Sequence, residues 1–459
     1  EWVVWHLREN LGDNIVAPWG NFNWGTYVQP AQRIEWSNGD VTEVRANRGQ
    51  ARTQEEAIDF INNDRTQLDI SLNGTWEVGY AQINEANLIL QALDRGVEFR
   101  LNDQAKQSAY RAWANFWKAF SYTQIGLFYE EGLIVNEPGE SNNNFLPNDD
   151  LIAESNRLYD LALQGAGNFD AISDNVVPGF FPTNITSTSF AQIINTLKAR
   201  NILMSKRKVD ITNAEWQEIK TLTENGLKDN SGTLLFDSDE ATFLTAITER
   251  WRLATNLWAR VSPRVVQIAV ENQNDARANF FSFSPSGFFD NNTVTQFINS
   301  PWATADPSPY ANSQTGTPQY YVSAEENLLM QAEAELALGS PAAAGTLIDQ
   351  ARALQNAGMA PVGNATFEDI RRERKLGLFM RGLAFYDARR LGELDSKQEG
   401  GGVKDVWVYR VDPATSSAAN NRDDDADIFY DFVDYFPVPS SETDFNVPSD
   451  AEPEMYNML

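Results

Sequence analysis

The sequence has no cysteine and a single histidine, His6, which excludes a disulfide framework, a thiolate metal site, a cysteine nucleophile and any His-pair metal site. A Ser-His-Asp triad could draw only on that one imidazole. Basic residues are also scarce. The 36 Lys and Arg stand against 64 Asp and Glu, a net charge of -28 spread along the chain. Such a field repels a phosphate backbone and argues against nucleic acid as a partner. No run approaches the about 18 consecutive apolar residues that span a bilayer. The first residues, Glu1-Trp2-Val3-Val4-Trp5-His6, lack the basic start of a secretory signal.

What the chain does have is core and aromatic surface. Its 459 residues are 42% apolar and 22% charged, enough to bury a large interior, and the length fits either two or three domains or one extended helical body. Aromatic residues make up 12%, with 13 Trp, 14 Tyr and 26 Phe, and many lie among Asn, Gly, Asp and Pro, the composition of loops.

Periodicity places the helices. Residues 1–75 form an irregular, aromatic-studded stretch with helical period only from Gln54 to Leu68. From Trp76 the spacing of Tyr80, Ile83, Asn87, Leu90 and Leu93 predicts a helix, and Leu101 to Tyr129 predicts a second with a buried stripe of Tyr110, Trp113, Trp117 and Phe120. Further helices are expected over Asp150–Ala166, Ser189–Lys206, from an Asn213 cap through Leu222, and over Asp239–Trp258. Residues 260–320 read as a long loop rich in Phe, Tyr and Trp, and a loop of that length is usually functional. Ser323–Leu338 and Pro341–Ala357 predict a helical hairpin, with Ser323 and Glu326 as a capping box and Pro341 at the first helical position. One strong helix over Phe367–Leu391 and a short strand over Val403–Val411 follow, and the rest reads as loop.

Taken in order, these segments resemble the SusD/RagB family of nutrient-binding lipoproteins. The resemblance rests on Trp76, Tyr80, Ile83 and Asn84 through Leu90, on the aromatic helix Arg111–Tyr129, and on Ala332-Glu333-Ala334 with Leu338-Gly339. It continues through Ile370, Glu373-Arg374-Lys375-Leu376, Gly382, Phe385-Tyr386-Asp387, Arg389-Arg390-Leu391-Gly392 and the closing Phe436-Pro437-Val438-Pro439 with Glu442 and Asn446. Two departures stand out: Arg381 and Ala384 replace the family's usual Glu and Arg around the glycine, and Asn446-Val447-Pro448 replaces a direct Asn-Pro. The resemblance implies a mostly α fold, a right-handed scaffold of about four tetratricopeptide-like helical pairs with long loops and a few short β-strands. It implies one domain over 1–459: an aromatic lobe 1–75, first repeat pairs 76–258, aromatic loops 259–322, last repeat and C-terminal helix 323–392, and C-terminal loops 393–459. It also implies a surface protein held at the outer membrane by an N-terminal lipid on a cysteine upstream of this sequence. The expected partners are an oligosaccharide or polysaccharide and a SusC-like TonB-dependent transporter, with no enzyme activity and no cofactor.

Within that frame the site is sought among loop aromatics next to amides and carboxylates, because a sugar ring stacks its C–H face on an aromatic ring and turns its hydroxyls to polar groups. Trp19, Trp24 and Trp36 with Asn38 and Asp40 form one expected arm, and Trp36 falls where starch-binding members of the family carry a stacking tryptophan. Trp302, Tyr310 and Phe289 (or its neighbour Phe288) form the other. Asp423-Asp424-Asp425 with Asp427 could attract calcium, but the spacing is not that of a calcium loop and a solvated acidic run is the plainer reading. The arginines at 371, 372, 374, 389 and 390 read as ion pairs within helices. Two other readings stay open: the same scaffold binding peptides or another nutrient, and a helical-barrel glycosidase, for which no carboxylate pair can be singled out.

Overall fold

The computed structural model describes residues 2–16, 31–43, 56, 58–59, 62, 70–100, 103–176, 184–237, 260–271, 274–283, 300, 302–304, 318–410 and 422–448. The main helices are α1 (Trp2–Leu11), α2 (Ile70–Asp94), α3 (Gln104–Gly126), α4 (Asn148–Ala166), α5 (Ser187–Met204), α6 (Asn213–Glu224), α7 (Pro263–Glu271), α8 (Ala324–Ala337), α9 (Pro341–Leu354), α10 (Phe367–Gly377) and α11 (Ala384–Arg390). Helices α2 to α6 pack each on the next, α6 then meets α8, and α8 meets α9. The fold is mostly α, a stacked-helix scaffold with short strands, as expected. The helix expected over Asp239–Trp258 lies outside the described residues.

Local sequence explains most boundaries. Asp103 caps α3 through a hydrogen bond from the Lys106 amide, and Thr186 and Thr366 open α5 and α10 with capping boxes. At α6 the cap is Thr212 and not Asn213. The Thr-x-x-Glu spacing lets the Glu215 carboxylate accept from the Thr212 amide at 2.9 Å while Thr212 Oγ1 accepts from the Glu215 amide. Ser323 caps α8 as expected, but Glu326 does not complete a box. Its carboxylate turns inward and takes two hydrogen bonds of 2.6 Å from the Arg200 guanidinium, where both side chains are buried.

The aromatic stripe of α3 is core. Trp113, Phe116 and Phe120 are buried, Tyr110 and Trp117 are partly so, and Phe190 of α5 packs against Phe116 at 5.3 Å and Trp113 at 5.8 Å. Where α8 meets α6 after a long excursion of the chain, polar groups set the register. Asn327 Nδ2 donates to the Thr223 and Leu227 carbonyls at 2.9 Å, and its Oδ1 accepts from Thr196 at 3.0 Å. Gly226 is required there, because a Cβ would stand 2.1 Å from Asn327 Oδ1.

Three expectations need correction. The stretch 260–320 is not all loop: it contains α7 and the short strands β7 (Arg260–Val261), β8 (Phe281–Phe283), β9 (Trp302–Thr304) and β10 (Pro318–Tyr320). Helix α7 is only nine residues long, with its polar Arg264, Gln267 and Glu271 at helical spacing, and every residue from Pro263 to Ala269 is buried. The single helix expected over Phe367–Leu391 is two, α10 and α11, separated by residues 378–383 with positive φ at Met380 (60°) and Gly382 (71°). The amides of Met380, Gly382 and Leu383 freed by this break all donate to the carboxylate of Glu9 on α1. Burial pushes the Glu9 carboxyl up in pKa, against these bonds and one from Asn14. The arginines of this region pair mostly between elements: Arg374 and Arg390 converge on Asp387, Arg390 also reaches Glu333 on α8, and Arg372 reaches Glu271 on α7. Only the Arg371–Glu368 pair, with Arg390–Asp387, follows helical spacing.

The end of the described chain returns to the first stacked helices, α2 and α3. Phe436 stacks on Phe128 at 4.5 Å with an interplanar angle of 5°, its amide donates to the Phe128 carbonyl, and Glu442 accepts from the Trp76 indole N–H at 3.2 Å. A four-stranded antiparallel sheet flanks the helices in the order β11 (Val403–Tyr409), β12 (Arg422–Phe429), β2 (Arg33–Glu35) and β3 (Val41–Glu43). The acidic run 423–427 is therefore part of a strand: Asp427 accepts from the Asp405 amide and Asp424 pairs with Arg422. Among the described residues no group of three or more acidic or histidine side chains is placed to hold a metal ion.

Candidate functional site: two arms meeting at strand β11

The first arm is the hairpin joining β2 to β3. Trp36 N–H donates to the Asp40 carbonyl and Gly39 N–H to the Trp36 carbonyl, each at 2.9 Å, and Gly39 adopts φ 85°, which this turn can ask of glycine without strain. Trp36 is 4% exposed. Its indole N–H donates to Thr42 Oγ1 at 2.8 Å, and the guanidinium of Arg410 lies over its ring at 3.8 Å. Asn38 and Asp40 are exposed and form a polar group with the same arginine. Asn38 Nδ2 donates to Asp40 Oδ2 at 2.8 Å, Arg410 Nη2 donates to Asn38 Oδ1 at 3.3 Å, and Arg410 Nη1 is 3.4 Å from Asp40 Oδ2. The bond from Asn38, then Arg410, holds the Asp40 carboxyl below its ordinary range, so it is ionised at neutral pH. Ser37 is tied to Asp423 by its amide and hydroxyl, which anchors the hairpin to β12.

The second arm is the hairpin-like pair β8–β9. Phe283 pairs with Trp302 across it, and the two rings meet edge to face at 5.1 Å. Phe283 is 43% exposed and Trp302 half-buried. Trp302 is fixed by its indole N–H, which donates to the hydroxyl of Tyr409 at 3.1 Å. Tyr409 is the last residue of β11 and Arg410 follows it, so consecutive residues at one strand end reach the two arms, Tyr409 holding Trp302 and Arg410 covering Trp36.

Of the residues singled out in the sequence, Trp36, Asn38 and Asp40 thus form one group and Trp302 lies against its neighbour in the chain of contacts. Trp19, Trp24, Phe289 and Tyr310 lie outside the described residues. Sequence reading did not single out Arg410, Tyr409 or Phe283 as site residues. The only signal for the first two was their place at the end of an alternating strand, and Phe283 was one phenylalanine among several in a long loop.

The arrangement is chemically suited to hydroxyl-rich ligands. A carboxylate accepts, a guanidinium donates and a primary amide does both, all held in place by one another, with an aromatic edge nearby. A second concavity of about 790 Å³ lies between α7, α10 and β11. There Arg371, Arg372 and Arg422 are each committed to a carboxylate, and the Trp407 ring is covered by Arg422 at 3.8 Å.

Comparison with known proteins agrees with this architecture. Residues 269–456 match the sequence profile of the SusD family. None of the curated protein sequences matches the chain. Among solved structures, a SusD-like carbohydrate binding protein from Bacteroides fragilis NCTC 9343 is similar with a TM-score of 0.58 at 13% identity, over 95% of this chain and 96% of that one. A structure with xylogluco-oligosaccharide gives a TM-score of 0.60 at 14% identity, over 98% and 96%. The surface glycan-binding protein A from Bacteroides uniformis gives 0.51 at 16%, over 70% and 74%. The C-terminal part of the chain, residues 269–456, is thus similar to the SusD family, and the fold along nearly its whole length is SusD-like.

Proposed function

We propose that the chain is a non-catalytic glycan-binding protein of the cell surface, which captures oligosaccharide or polysaccharide and passes it to a SusC-like TonB-dependent transporter in the outer membrane, to which a lipid anchors it. The observation that carries this reading is the meeting of the two arms at Tyr409 and Arg410, which sets the Asn38–Asp40–Arg410 group and the Phe283–Trp302 pair at the same end of one strand. The fold it shares with proteins described as carbohydrate or glycan binding supports the same ligand class. Sugar hydroxyls donate to Asp40 and accept from Arg410 and Asn38, while an apolar ring face packs on Trp302 and Phe283. The Trp36 ring serves as the floor on which Arg410 rests.

Affinity electrophoresis against a panel of polysaccharides tests this. At least one should retard the protein, and Trp302→Ala or Arg410→Ala should each weaken retention by about tenfold, the loss of one stacking contact or one charged hydrogen-bonding group. Stronger binding by Arg410→Ala would instead identify the Trp36 face as the platform. Retention by no glycan, or release of reducing sugar from a retained one, would reject the reading.

A further inference from the structure

A pocket of about 50 Å³ opens between α2 and α3, beneath the half-exposed Val78 and beside Phe120 and Tyr321. Its polar lining is Arg8 from α1, Thr75 and Gln82 from α2, and Ser121 and Gln124 from α3; no Asp or Glu lines it among the described residues. In a chain of net charge -28 such a lining is unusual.

The hydrogen-bonding state of these groups is one-sided. Arg8 is 3% exposed, and its Nε–H has no partner among the described residues. The Thr75 hydroxyl, on a residue 4% exposed, has none either. Gln124 must present its oxygen to Arg8 Nη1, since a guanidinium only donates, and this leaves its amide nitrogen as a donor. Gln82 likewise gives its oxygen to the Ser121 hydroxyl at 2.6 Å and keeps its NH₂. Uncommitted groups from three helices are therefore nearly all donors. The charge of Arg8 is also unanswered: burial pulls its pKa down, and the groups acting on it are the phenols of Tyr386 and Tyr129 and a second cation, Arg200. Its other contacts are the ring faces of Tyr386 at 5.3 Å and Phe128 at 5.8 Å.

We infer that this pocket is a binding site for a small monovalent anion of chloride size, held by Arg8, Thr75, Gln82 and Gln124. Water fits such a lining poorly, because a water molecule must also donate and the free groups offer it few acceptors, whereas a halide only accepts. The volume exceeds the roughly 10–15 Å³ that one water-sized occupant requires. The carboxylates that satisfy buried arginines elsewhere in this molecule, Glu326 on Arg200 and Glu333 on Arg390, have no counterpart at Arg8 among the described residues. The bound ion would join α1 to α2 and α3 and neutralise the buried guanidinium.

The test compares thermal unfolding in sodium chloride and sodium gluconate at equal ionic strength, for the intact chain and for Thr75→Val, together with anomalous diffraction from crystals soaked in bromide. Chloride should raise the midpoint by about 1–3 °C in a saturable way. Thr75→Val should reduce that increment, and a bromide peak should appear within hydrogen-bonding distance of Arg8. Arg8→Gln, where it folds, should abolish both. Equal midpoints in the two salts, with or without a bromide peak, would overturn the inference, the peak then marking an adventitious ion only.

Discussion

Asp13 lies in the turn after α1, and its two oxygens accept from Arg264 Nε at 2.8 Å and Nη2 at 2.5 Å, from the Ser262 hydroxyl and from Tyr430, all in the interior. Burial works to raise its pKa, but the charge and hydrogen bonds of Arg264 outweigh it and the net direction is down. A carboxyl lowered on folding contributes stability that is present above its unfolded value, near pH 4, and is lost as the pH falls through the folded one. Asp13→Asn should therefore cost about 3 kcal/mol at pH 7, since it leaves a buried guanidinium without its charge partner. In urea titrations from pH 7 to pH 2 that difference should shrink, because protonation brings the parent to the state of the variant. A difference that is constant or widens toward acid would show that Asp13 is not ionised in the folded protein. No property of Asp13 in the sequence announced this role. It lies in a turn, where Asp is commonplace, and its partners Arg264 and Tyr430 are distant in the chain.

At the scale of elements, the break between α10 and α11 is the feature periodicity could not show. Residues 367–391 keep an apolar repeat through the break because Leu378, Phe379 and Leu383 are all buried in it. What ends the helix is tertiary, since Glu9 of α1 takes the freed amides and α1 presses so closely that a Cβ on Gly12 would stand 2.1 Å from the Ala384 carbonyl carbon. The neighbouring atoms are the Ala384 carbonyl and its Cβ, which cannot swing aside. Gly12→Ala should thus destabilise the protein by about 2 kcal/mol, as overpacking of a close contact does, with the loss seen in denaturant midpoints. A neutral effect would mean that α1 can slide along α11. Strand β12 was hidden for a different reason. Its sequence, Arg422-Asp423-Asp424-Asp425-Ala426, is one that strands disfavour, and it pairs there because Arg422, Ser37 and the Asp405 amide take up the carboxylates. The helices α3 to α6, α8 and α9 were legible from their apolar spacing, helped by side-chain caps at α3, α5, α6 and α8 and by Pro341 at the first position of α9.

At the scale of the whole molecule, stacked helices make each contact local, so an array of this kind depends on what closes it. Here closure is made by the last described segment. Phe436 is inserted beside Phe128 and Phe385, the Phe436 carbonyl accepts from the Glu130 amide, and Asn446 donates to the Asn142 carbonyl, which brings residues 436–446 onto α2, α3 and the β4–β5 turn region (Glu131–Leu133 and Phe145–Pro147). The closing motif was visible in the sequence through its resemblance to the family. The half of the expected site that could be followed was visible as residue types, Trp and Asn with Asp, while the strand end that joins its two arms depends on pairing between distant segments. Phe436→Ala should remove a fully buried ring and cost about 3–5 kcal/mol. Because the ring joins the end of the described chain to α3, the loss should not stay local. Amide exchange should accelerate along α2 and α3 as well as around residue 436, whereas acceleration confined to 430–446 would show that this segment is laid over a scaffold already complete without it.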